Sequence, residues 1–132
     1  LDNGMKRAVD AGERVSTEHE NVDQLPVFIQ WSADGDPSRG GAKEDDLDSL
    51  ADAVNSSQYL TLEGLMVVPP RDDDSAQVFA RASELSEAIR QKHGGRGGLS
   101  AGMSGDLENA IAAGSTVVRV GTAILGSRPV TL

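Results

Sequence analysis

Apolar positions at Leu1, Met5, Ala8 and Val9 recur every three or four residues and stop at Gly12, the period of an amphipathic helix with a glycine stop. Residues 13–24 carry no such stripe and read as a polar loop. Leu25 to Trp31 is a short run of β-formers bounded by the turn-rich stretch 34–41, and predicts a strand. Leu47, Leu50, Ala51 and Val54 form the next helical stripe, with Glu44, Asp45 and Asp46 at its start, where the helix dipole favours acids. A second strand lies within Tyr59 to Val68; its continuously apolar end, Leu65 to Val68, suits a strand buried on both faces, and Pro69-Pro70 ends it. Asp72 to Ser75 offers N-caps for a long helix with core face Val78, Phe79, Ala82, Leu85 and Ile89, stopped at His93-Gly94-Gly95. A brief third strand spans Gly98 to Ser100. Ser104 then caps a helix with stripe Leu107, Ala110 and Ile111, closed by Gly114. Thr116 to Val120 reads as a fourth strand, and Thr122 to Gly126 as a single turn or short helix.

One helix followed by four strand and helix repeats predicts an α/β fold with a parallel sheet. Four strands alone fit either an open doubly wound sheet or half a barrel. The 132 residues make one domain but fall short of the ~200 or more that a complete barrel of this kind needs. With aromatics at only 3%, the core has to come from Val, Ile, Leu, Met and Ala. A formal charge of -9 argues against nucleic acid or an anionic membrane as partner, since both need a basic face. The absence of Cys excludes disulfides, thiolate nucleophiles and zinc-thiolate sites, and no apolar run approaches the roughly 18 residues of a membrane span. The expectation is a cytoplasmic protein. Leu1 in the place of an initiator Met suggests that the natural N-terminus lies upstream, which leaves a lost signal open.

Candidate chemistry concentrates near the C-terminus, in Gly98-Leu99-Ser100-Ala101-Gly102-Met103-Ser104-Gly105-Asp106-Leu107 and in Gly114 to Gly126. Each is a short strand ending in small residues that open a helix. Gly and Ser let the main chain approach an anion closely, and the N–H groups at a helix start hold its charge, so the pair suggests a phosphate-bearing ligand. These motifs resemble the C-terminal signature of the pyridoxal-phosphate homeostasis proteins, the YggS or PROSC family. The resemblance continues upstream through Val27-Phe28-Ile29-Gln30, Gly35 to Gly41 and Leu62-Glu63-Gly64-Leu65-Met66, and so covers nearly the whole chain.

What the resemblance implies is the C-terminal half, strands five to eight, of an alanine-racemase-type (β/α)8 TIM barrel spanning residues 1–132, with pyridoxal 5′-phosphate as cofactor. It implies a cofactor-binding set of Ser100, Gly102, Met103, Arg119, Gly121, Thr122 and Met66. The Ser100 hydroxyl and the amides around Gly121 and Thr122 would bind the phosphate, with the Thr122 hydroxyl a further donor. Arg119 matches the arginine that, in the related racemase-type enzymes, sits beside the pyridine nitrogen and keeps it unprotonated. Read from the residues alone, Arg119 also fits a strand-end side chain reaching solvent or an acid. Met66 fits core filler equally well, and a type I turn explains Ser38, Arg39 and Gly40 nearly as well as the family's Ser-Lys or Ser-Arg motif. Trp31 and Ser32 depart from the family's usual small apolar residue and Asn, which leaves the shape of that part of the pocket open. His19 and His93 lack partners at metal or triad spacing and read as surface residues, and Asp72-Asp73-Asp74 lacks the spacing of a calcium loop and reads as helix capping.

Family members carry on their first strand the lysine that forms the Schiff base with the cofactor. Here only Lys6, Lys43 and Lys92 are present, and all three are expected outside strands. Three readings follow, in order. The first is a cofactor-homeostasis protein without turnover, completed by an N-terminal half from elsewhere. The second is a truncated fragment that binds nothing well and associates with itself through unpaired sheet edges. The third is part of a pyridoxal-phosphate racemase-type enzyme, which would need the lysine and a further acid or base.

Overall fold

The computed structural model describes residues 1–12 and 23–127. The expected loop at 13–22, with His19 in it, and residues 128–132 lie outside the described residues. In chain order the elements are α1 (Asp2–Asp10), β1 (Leu25–Trp31), a 3-10 turn (Glu44–Asp46), α2 (Leu47–Asn55), β2 (Leu60–Val67), α3 (Ser75–His93), β3 (Gly98–Ser100), α4 (Leu107–Ala112) and α5 (Thr122–Leu125). The three strands form a parallel sheet in the order β1-β2-β3. Among the described residues no helix is long and apolar enough to cross a membrane.

Alternation of side chains divides the sheet into two faces. Ile29, Trp31, Leu65, Val67 and Leu99 turn toward the helices and join Leu47, Ala51, Phe79, Ala82, Leu85, Ile89 and Ala110 in one core. Phe79, Leu65 and Val67 are completely buried there. Emptying such a site costs about 3–5 kcal/mol for a Phe and 2–5 for a Leu. On the other face Gln30, Met66 and Ser100 stand in register across the three strands. Met66 is only half-buried, so β2 is covered fully on its helix side and partly on the other, not equally on both as its apolar end suggests.

A bulge at Glu63 sets this register: Val27 pairs with Leu62 but Phe28 with Gly64. Gly64 has φ +153°, and a Cβ there would lie 1.8 Å from the Gly98 carbonyl oxygen, so β2 and β3 approach one another only because this residue is glycine. The same carbonyl accepts a bond from the buried Ser86 hydroxyl of α3 at 2.8 Å. The outer edge of β1 is blunted. Pro26 lacks an N–H, and the loop after β1 folds back so that Ala42 N–H donates to Gln30 O at 2.7 Å and Ser32 N–H donates to Ala42 O at 2.9 Å.

Three expectations are corrected. Thr116 to Val120 does run parallel to β3, bridged at Ser100 and Val117, but it is not a regular strand. Local hydroxyls mix with main-chain bonds here: Leu99 N–H donates to Thr116 Oγ1 at 3.0 Å, Ser115 Oγ donates to Ala101 O at 2.7 Å, and Leu99 O is shared by the amides of Thr116 and Val117. Ser104 does not cap α4, which Asp106 precedes, and Ile111 is 58% exposed because this two-turn helix buries only Ala110. His93 is no surface residue, since its side chain is 6% exposed. Its Nε2 lies 2.7 Å from Asp48 and its Nδ1 2.9 Å from Asp52, both on α2. Lys92 and then His93 hold the Asp48 carboxyl below its usual range by hydrogen bonding to it. As expected, Asp74 caps α3, accepting from Ala76 N–H at 3.0 Å.

Candidate functional site

Beyond Ser100 the chain leaves the sheet through Ala101 and Gly102. Gly102 has φ +95°, and a Cβ there would meet the Ala110 Cβ at 2.6 Å, so this glycine is demanded by the close approach of α4. The turn Met103–Asp106 and α4 follow, and the chain returns beside β3, where Arg119 N–H donates to Gly102 O at 2.9 Å. Gly121 then opens α5, its carbonyl accepting from the amides of Ile124 and Leu125 at 3.0 and 2.8 Å. Ser104 joins the two loops: its Oγ accepts from the Thr122 hydroxyl at 3.2 Å and from Ala123 N–H at 3.3 Å. Between them lies a groove of about 520 Å³ lined by Met103, Ser104, Gly105, Arg119, Val120, Gly121 and Thr122.

Arg119 spans the C-terminal ends of two strands. Nη1 donates to Ser100 O at 2.9 Å and to Ser100 Oγ at 2.8 Å, and Nη2 donates to Val67 O at 3.0 Å. All three acceptors are neutral, and among the described residues Arg119 forms no ion pair. Burial lowers its pKa and the charge of Asp106 opposes that shift, yet a guanidinium stays protonated in a protein. The groove therefore contains a fixed positive charge that forms no ion pair among the described residues.

Of the residues expected to bind, Met103, Arg119, Gly121 and Thr122 line this groove. Gly102 lies beneath it as a packing glycine. Ser100 is 5% exposed and sits behind Arg119 with its oxygen engaged by the guanidinium, outside the lining. Met66 is its in-register neighbour on β2. Ser104 and Gly105 were not singled out as ligands because Ser104 reads as a helix cap; the repeated small residues of Gly102 to Gly105 were the available signal. Lys6 pairs with Asp10 on α1 at 2.7 Å, Lys92 on α3 pairs with Asp48 on α2, and Lys43 precedes the 3-10 turn, so none lines the groove. Ser38 and Arg39 belong to a turn built on Asp36: Ser38 N–H donates to its Oδ1 at 2.9 Å and Arg39 N–H to its carbonyl at 3.2 Å.

The donor set suits a phosphate ester. The volume lies within the ~300–1,000 Å³ of small-molecule sites, and hydroxyls, a helix-start amide and an unpaired guanidinium converge there. Gly105 and Gly121 supply a second argument. A Cβ at either would meet nothing within 4 Å, so packing does not account for them. Both positions leave room for close approach of a ligand.

A parallel β/α sheet with a groove lined by Arg119 at the C-terminal ends of its strands defines the class of protein. The family described as alanine racemase, N-terminal domain, matches residues 5–129, and this chain belongs to it. The pyridoxal phosphate homeostasis protein of Corynebacterium glutamicum is 45% identical over 129 residues, which cover 98% of this chain and 56% of the relative. That of Vibrio cholerae is 42% identical over 111 residues, covering 82% and 47%. PipY of Synechococcus elongatus PCC7942, 26% identical, matches with a TM-score of 0.76 without PLP, over 95% of this chain and 56% of PipY. With PLP bound it matches with a TM-score of 0.71, over 96% and 66%. The resemblance to the homeostasis proteins read from the motifs is thus shown, and the chain spans about half the length of the curated relatives it matches.

Proposed function

We propose that the chain binds pyridoxal 5′-phosphate as a cofactor-homeostasis protein, holding it without catalytic turnover, and that it does so as strands five to eight of a (β/α)8 barrel. The observation that carries the reading is the unpaired Arg119 guanidinium in a groove walled by two glycines that packing does not require. The phosphate is taken by the Ser104 and Thr122 hydroxyls and the amides around Gly121, with Ser100 setting the guanidinium and Met66 flooring the adjoining face. Bound, the cofactor supplies an electrophilic carbonyl and a ring able to accept electrons. Arg119 would stand toward the ring nitrogen, where its fixed charge would disfavour protonation of that nitrogen and weaken the ring as an electron sink.

In this reading the segment 116–120 is the eighth strand, and the lysine that would link to the cofactor comes from a complementing half, in keeping with relatives that extend well beyond the matched region. The partner is the free cofactor rather than nucleic acid or membrane, and the work is done in the cytoplasm. Calorimetric titration of the 132-residue chain with pyridoxal 5′-phosphate tests this. Saturable heat without borohydride-trapped adduct is the expected result; absence of heat defeats the reading, and an adduct on Lys6, Lys43 or Lys92 defeats the assignment of the lysine to another half.

A further inference from the structure

The turn from Met103 to Asp106 is closed twice by the same two residues. Asp106 N–H donates to Met103 O at 3.2 Å, and Met103 N–H donates to Asp106 Oδ1 at 2.7 Å, the short length of a bond to a charged acceptor. The Asp106 carbonyl also accepts from Ala110 N–H at 3.1 Å and so starts α4. Ser104 and Gly105, the two central residues of this turn, line the groove, whereas Asp106 does not. Ser104 in turn holds Thr122 and Ala123. Asp106 therefore stands one step behind the contacts of Ser104 with Thr122 and Ala123.

We propose that Asp106 is a positioning residue for the cofactor phosphate: by holding the Met103 amide, its carboxylate fixes Ser104 and Gly105 where they complete the groove. This role rests on the pyridoxal-phosphate reading. It is not a role of charge, because a carboxylate beside an anion groove repels the ligand. The two contributions separate by substitution. Asp106→Asn keeps an acceptor oxygen for Met103 and removes the charge, while Asp106→Ala removes both.

The experiment combines amide hydrogen exchange at Met103 with calorimetric titration of pyridoxal 5′-phosphate in the parent chain and both variants, circular dichroism checking the fold. Asp106→Ala is expected to lose protection at Met103 and to bind about tenfold more weakly, as for loss of one charge-assisted hydrogen bond, with Asp106→Asn restored to within about twofold of the parent or tighter. Asp106→Ala binding as tightly as a parent that binds overturns the positioning role alone, as does Asp106→Asn binding as weakly as Asp106→Ala. A parent chain that binds no cofactor overturns the cofactor reading and this role with it. Should Asp106→Ala fail to fold, Asp106→Asn decides: affinity kept supports the role, affinity lost overturns it.

Discussion

Two arginines cross the C-terminal ends of the strands, and their surroundings differ in one respect. Arg39, from the loop after β1, donates to Val68 O at 3.0 Å, to Pro69 O at 2.8 Å and to the Asp34 carboxylate at 2.8 Å. Arg119, on the segment after α4, makes the same kind of fork onto strand-end carbonyls but forms no ion pair among the described residues, Asp106 acting on it only through its charge. Arg39 is thereby neutralised and acts as a latch, tying its loop to the end of β2. The cavity beside it is about 210 Å³, below the ~300 Å³ at which small-molecule sites begin. Arg119 keeps its charge and faces the larger groove. An ion pair, present at Arg39 and found at no described residue for Arg119, is what distinguishes the two.

Substitutions break or sharpen this contrast in descending order of effect. Gly64→Ala removes the platform on which both arginines rest: a Cβ 1.8 Å from the Gly98 oxygen forces β2 and β3 apart, at a cost of about 3 kcal/mol or more measured by urea unfolding. Arg119→Ala weakens pyridoxal 5′-phosphate binding by about ten- to a hundredfold in calorimetry, the scale of hydrogen bonds to a charged group. Arg119→Lys keeps the charge but loses the fork, and falls between. Gly121→Ala lowers affinity while leaving stability within about 0.5 kcal/mol, since nothing packs against that position. Arg39→Ala lowers the melting temperature by a few degrees and leaves affinity unchanged.

The smallest effect is that of pH. The Asp36 amide first, and Arg39 after it, hold the Asp34 carboxyl below its ordinary value. The stability Asp34 contributes is therefore present above the ordinary aspartate range and is lost as the pH falls below about 4. Acid unfolding curves of the parent and Arg39→Ala should converge there, while a curve for Arg119→Ala keeps its offset.

The three strands and the long helices were legible because apolar periodicity decides them, and of the residues expected to bind, Met103, Arg119, Gly121 and Thr122 come together along one groove. What escaped depended on partners distant in sequence or on local competition. His93 reads as exposed until α2 brings Asp48 and Asp52 to its ring across more than forty residues. The segment 116–120 has a strand's composition, yet the hydroxyls of Ser115 and Thr116 compete with main-chain groups for the same partners beside β3. Periodicity likewise gives no sign that Arg39 forms an ion pair and Arg119 none among the described residues. That difference follows from Asp34, five residues before Arg39, reaching back across its own turn.

The most direct test is to titrate pyridoxal 5′-phosphate into Arg119→Ala and Arg39→Ala side by side. An affinity lost in the first and kept in the second is the predicted result. Equal losses in both, or loss only in Arg39→Ala, would contradict the assignment of the binding charge to Arg119.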